Sequence, residues 1–224
     1  MDPRKNSGPN FRRLLGTLIF VIVAGTLVTD EGVLANAFIQ LVFVSSLVLV
    51  TTSISRSAPN RLAVYAVGGF ALVSGLVGLV LHERTVAMTV FAAYIVFFGL
   101  VFSNVLRHVF STSTVSADDL FAVCCVYVLA GLDWAFAYAL TDLAFPGSFT
   151  AIAPDEAAFG QYVYFSLITL TSLGYGDVAP VTSLARSLAS LEALFGQAFL
   201  AVFVAHVVAD ASGPPKVEGP DRTE

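Results

Sequence analysis

The stretch Tyr162-Val163-Tyr164-Phe165-Ser166-Leu167-Ile168-Thr169-Leu170-Thr171-Ser172-Leu173-Gly174-Tyr175-Gly176-Asp177-Val178-Ala179-Pro180 decides how this chain is read. The apolar run that feeds it, Phe159 to Leu170, is shorter than the roughly 20 residues a helix needs to cross hydrocarbon. It therefore reads as a re-entrant helix. An irregular loop at membrane depth is costly unless it lines water or an ion path. Gly174 and Gly176 stand two apart and tolerate the positive φ that turns successive carbonyls toward one axis. Such a cage of oxygens replaces the hydration shell of a cation. Ser172 adds a hydroxyl at the inner end, and the helix ending near Leu170 points the negative end of its dipole toward a waiting cation. Tyr162, Tyr164 and Phe165 are expected to pack against Tyr175. Asp177 sets a carboxylate at the outer mouth, raising local cation concentration.

Outward from this stretch, the composition is that of a membrane protein. Of 224 residues, 57% are hydrophobic and 12% charged, half the charge of a soluble domain, and the mean hydropathy is +0.83. Apolar runs predict spans at Phe11 to Thr29, Ala35 to Ser53, Leu62 to Leu81, Val86 to Val109, Leu120 to Leu140 and Leu184 to Ala209. The expected fold class is an all-α polytopic membrane protein of six transmembrane helices, with the re-entrant helix and its loop between helices five and six. The expected domains are an N-terminal tail over 1–10, a four-helix scaffold over 11–109, a pore domain over 118–209 and a short tail over 210–224.

Orientation follows from where Lys and Arg fall, because cytoplasmic segments retain them. With the N-terminus inside, Arg4, Lys5, Arg12, Arg13, Arg56, Arg61, Arg107, Lys216 and Arg222 are cytoplasmic, leaving Arg84 and Arg186 outside. Both termini are thus expected in the cytoplasm. The basic start followed by Leu14 to Val28 has the order of a cleaved signal peptide, but no convincing small-x-small cleavage site precedes Asp30, and removing this span would invert the topology that the later loops support. The scattered basic residues form no stripe with interleaved aromatics, which excludes nucleic acid. Cys124 and Cys125 have no second pair to complete a zinc or disulfide pattern and read as buried helix cysteines. No nucleophile with base and orienter and no phosphate-cradling loop is present, so no enzyme, cofactor or small-molecule substrate is expected.

The residues Thr169-Leu170-Thr171-Ser172-Leu173-Gly174-Tyr175-Gly176-Asp177, with Pro180, resemble the potassium-channel pore signature. Arg186, Glu192, Gly196 and Gln197 look like the inner helix of prokaryotic channels of the two-transmembrane pore class. The resemblance covers about Leu120 to Ala209. It implies potassium held at Ser172, Leu173, Gly174 and Tyr175, with Gly176 completing the filter. It also implies a homotetramer in a lipid bilayer, the plasma (inner) membrane, because one filter copy per chain requires four chains. The chain departs from the family in Ser172-Leu173, where family filters most often begin Thr-Val or Thr-Ile. The expected function is passive, potassium-selective conduction; the alternatives are a weakly selective sodium and potassium channel or a non-conducting scaffold.

The remaining residues refine this expectation. No Lys or Arg occurs between Thr85 and Leu106, so the fourth span lacks the 3 to 4 gating charges of a voltage sensor. Tyr164, Phe165, Thr169, Thr171, Arg186 and Glu192 are taken as supports of the re-entrant helix and filter, with an ion pair or hydrogen bonds bracing that helix. Glu192 and Asp133 are ionisable groups within spans and hence candidates in their own right. Gly196 permits either a bend or close helix packing. Gln197, Leu200, Val204 and Val208 share a face taken to line the cavity, with His206 turned away. Trp134 and Tyr138 fit an outer aromatic belt.

Overall fold

The structure, a computed structural model, describes residues 11–27, 61–78, 80–81, 83–111, 117–152 and 159–212. Within them the chain is helical: α1 (Phe11–Leu27), α2 (Arg61–Gly78), α3 (Arg84–Ser111), α4 (Ala117–Ala144), α5 (Phe159–Leu170) and α6 (Ser183–Ser212). The span expected over Ala35 to Ser53, the N-terminal tail and residues 213–224 lie outside the described residues, whereas residues 210–212, expected to belong to the C-terminal tail, continue α6.

Among the described residues, three helices are long and apolar enough to cross a membrane, over Arg84–Arg107, Leu120–Ala144 and Ser183–His206. Their burial differs, at 28%, 56% and 11% of the respective windows, and this ranks their positions. A helix apolar all round belongs inside, and α4 is that helix: it packs on α1, α3, α5 and α6, while α2 leans on α3. The core follows α4 from Ala122 through Val126 and Leu129 to Phe136 and Ala139, all buried. Adjacent residues on a helix point about 100° apart, so Cys125 is buried while Cys124 is exposed, correcting the expectation that both are buried.

The ends of the helices are tied off locally. Arg84, at the start of α3, donates from Nη2 to the carbonyls of Leu143 (2.6 Å) and Ala144 (3.0 Å), placing a cation on the orphan carbonyls at the α4 C-terminus. Thr182 caps α6 by accepting the Ala185 N–H on its hydroxyl at 3.3 Å. Between them, two loops clasp each other. Thr150 N–H donates to the Ala179 carbonyl at 2.9 Å and Val181 N–H to the Ser148 carbonyl at 2.8 Å, forming a bridge at Phe149 and Pro180. Asp142 anchors the clasp. Its buried carboxylate accepts the Ser148 N–H at 2.8 Å and the Tyr162 hydroxyl at 2.7 Å, joining α4, the clasp and α5.

Replacing Asp142→Ala leaves both donors buried and unpaired, at roughly 1–3 kcal/mol each. The variant is expected to melt several degrees below the parent in a thermal unfolding assay, whereas Tyr162→Phe, which removes one donor with its bond, loses less.

Candidate functional site

The segment between α5 and the clasp is held from one side by α6. Both helices run in the same direction along the contact, and their residues meet in register. Ser166 of α5 faces Glu192 of α6 through its hydroxyl and the Glu192 Oε1. One turn further, the Leu170 carbonyl lies over Gly196, where an added Cβ would come within 2.1 Å of that oxygen. Next, Gln197 Nε2 donates to the Ser172 hydroxyl at 2.9 Å. Of the two uses of Gly196, the geometry requires close approach, and α6 continues unbroken through it.

From the other side, α4 contributes a tyrosine at each level. The Tyr127 hydroxyl donates to the Leu170 carbonyl at 2.9 Å, and the Tyr138 hydroxyl donates to Glu192 Oε2. Tyr138 is fully buried, so it belongs to this bracing and not to an outer aromatic belt, since its hydroxyl has a carboxyl partner inside the fold. Its ring packs edge-on against Phe149 at 5.4 Å and Phe165 at 5.0 Å. Phe165 and Tyr162 therefore pack against this cluster, with Phe149 6.0 Å from Tyr162, and not against Tyr175, which is 68% exposed.

The end of α5 sets the shape of the segment beyond it. Ser172 N–H bonds the Thr169 carbonyl at 2.9 Å and Leu173 N–H the Ile168 carbonyl at 2.8 Å. These are the 5→2 and 6→1 bonds of a Schellman cap, whose C′ residue takes the left-handed conformation. That residue is Ser172, with φ of 57°. Gly174 at 52° and Gly176 at 81° come next, so φ is positive at every second position while Leu173 and Tyr175 keep negative φ. A Cβ at either glycine would meet nothing within 4 Å; backbone angle, not space, calls for glycine there.

Asp177 lies at the far end of this segment and accepts the Tyr164 hydroxyl at 2.7 Å. That bond is the main reason its carboxyl titrates below the usual aspartate range. Thr171 turns back, its hydroxyl donating to the Leu167 carbonyl at 2.6 Å, and Thr169 enters through its carbonyl. Arg186 donates from Nε to the Pro180 carbonyl at 3.3 Å. It braces the clasp, and Glu192 finds its partners in Tyr138 and Ser166 instead of Arg186. Gln197, Leu200, Val204 and Val208 are exposed along α6, whereas His206 lies in an apolar crevice with Leu106, Val123, Val126 and Phe203.

Sequence reasoning missed Tyr127, Tyr138, Ser166 and Asp142 as supports. Tyr127 and Tyr138 lie about three helical turns apart on one face of α4, and Ser166 is a hydroxyl residue within an apolar helix. Both patterns were available in the sequence.

Comparison with known proteins adds an independent observation. Residues 132–211 match the family described as "Ion channel". A segment of 65 residues is 32% identical to the two pore potassium channel c of Oryza sativa subsp. japonica, covering 29% of this chain and 14% of that protein. No solved structure gives a significant match.

Two outcomes test this geometry. Gly196→Ala drives a methyl group into a backbone carbonyl and is expected to cost about 1–3 kcal/mol, read as a lowered melting temperature. Tyr164→Phe is expected to raise the Asp177 pKa toward its ordinary value of about 3.9, followed by carbon NMR of the carboxyl. Because the folded value is the lower one, the Asp177 contribution to stability is present at neutral pH and is lost as pH falls through that depressed value.

Proposed function

We propose that the chain is one subunit of a potassium-selective channel, a homotetramer passing potassium passively through backbone carbonyls of Ser172, Leu173, Gly174, Tyr175 and Gly176. The observation that carries this reading is the alternation of φ. In a strand, successive carbonyls point to opposite sides; alternating left- and right-handed residues turn them to one side. A row of carbonyls on one side of an extended segment is the ligand set a dehydrated cation needs.

The surroundings support the same reading. Leu173 and Tyr175 are 56% and 68% exposed in the single chain, as residues packed between four copies would be. The α6 surface bearing Gln197, Leu200, Val204 and Val208 is open in the same way and fits a water-filled inner cavity. In this reading α5 is a re-entrant pore helix and Asp177 rings the outer mouth. Residues 118–209 form the pore domain, and residues 11–109 form a four-span scaffold around it. Both termini are cytoplasmic and the plasma membrane is the host. The match to the ion channel family and the similarity to a potassium channel point to the same class of function.

One observation favours a less selective variant. The innermost oxygen is a serine hydroxyl that already accepts a hydrogen bond from Gln197, leaving it fewer lone pairs for a cation than a free hydroxyl has.

Protein reconstituted in liposomes is expected to pass potassium down its gradient, with block by barium. Gly174→Ala and Gly176→Ala each impose left-handed strain of roughly 1–2 kcal/mol per residue in every subunit and are expected to reduce flux at least about tenfold. Unchanged flux in both variants overturns the filter assignment, and replacing potassium by sodium in the same assay decides selectivity.

A further inference from the structure

Glu192 is fully buried, on a helix apolar enough to cross a membrane. Its carboxyl oxygens meet two hydroxyls, Tyr138 on α4 at Oε2 and Ser166 on α5 at Oε1. Both partners are neutral, and among the described residues no cation pairs with it. A carboxylate in that place has given up its hydration with no opposite charge in return, which is the least favourable state for a buried acid.

With Glu192 ionised, hydrogens are fewer than contacts. The Tyr138 hydroxyl brings one hydrogen, which goes to Oε2. The Ser166 hydroxyl also brings one, yet it stands within bonding reach of two oxygens, Glu192 Oε1 and the Gly131 carbonyl at 2.7 Å. A carbonyl cannot donate. An ionised Oε1 cannot donate either, and one hydrogen must serve two acceptors. With a hydrogen on Oε1, every contact has its own donor.

We propose that Glu192 is held as a neutral carboxylic acid that donates to Ser166, closing a one-way chain from Tyr138 through Glu192 and Ser166 to the Gly131 carbonyl. Each link joins a different pair of elements: α4 to α6, α6 to α5, and α5 back to α4. The acid is thus a positioning residue that needs both an acceptor and a donor, and a negative charge has no part in its role. The chain lies within one subunit, so this inference goes beyond the channel reading and does not depend on it.

Glutamine reproduces the pattern, its carbonyl accepting from Tyr138 and its amide donating to Ser166. Alanine leaves both hydroxyls without their partner. The test uses the full-length protein in lipid bilayers, with infrared difference spectra between the parent and Glu192→Gln at neutral pH. The parent is expected to carry a carboxylic-acid C=O stretching band that Glu192→Gln lacks. In thermal melting, Glu192→Gln is expected to stay within about 2 °C of the parent while Glu192→Ala falls by at least about 4 °C. The proposal is overturned if the difference spectrum shows loss of a carboxylate band instead. It is equally overturned if Glu192→Gln melts as low as Glu192→Ala or fails to fold. Neither readout measures ion passage, so a negative result here is distinct from a failure of the flux assay.

Discussion

The contact between α5 and α6 depends on a polar bond made where neither helix can make it with water. Apolar helices slide and rotate against each other at little cost, because one methyl group packs nearly as well as the next. A buried hydroxyl facing a buried carboxyl does not slide, since moving either by one residue strands both. Glu192 and Ser166 thereby fix the register, and the next two contacts along α6 inherit it. Gly196 meets the Leu170 carbonyl and Gln197 meets Ser172 because the pair above them is set. Tyr138 and Tyr127 add α4 to the same alignment from behind.

This alignment determines the shape of the segment from 172 to 177. The chain leaves α5 through a cap whose left-handed residue is Ser172, and the left-handed conformation recurs at Gly174 and Gly176. The proposed filter therefore begins inside the helix cap. At the far end, Tyr164 holds Asp177 from α5 itself, and the clasp between residues 148–150 and 179–181 returns the chain to α4. A segment with few contacts of its own is thus suspended between two fixed points.

Much of this was legible in the residues. The six described helices fall where apolar runs and their punctuation placed them, and the short helix over Phe159 to Leu170 agrees in both limits. The glycines predicted to need positive φ have it, because two glycines two apart in an apolar chain have few other uses. Ser172 escaped, since a left-handed serine is set by the hydrogen bonds of a helix cap and not by its own preference. Tyr138 was misplaced in an aromatic belt because its position along the span is right for one; only its hydroxyl partner on α6 gives it away. Arg186 and Glu192 are close in sequence and opposite in charge, yet the first turns to a loop carbonyl and the second to hydroxyls. Pairings between elements depend on how helices meet, and periodicity within each helix does not encode that.

Ser172 holds a backbone shape that a residue without a side chain would hold more comfortably, by roughly 1 kcal/mol. Glycine at that point would relieve this strain while deleting the oxygen that Gln197 grips. The chain keeps the strained backbone, so the terminus of α5 carries a small permanent tension in exchange for one hydroxyl facing its exit.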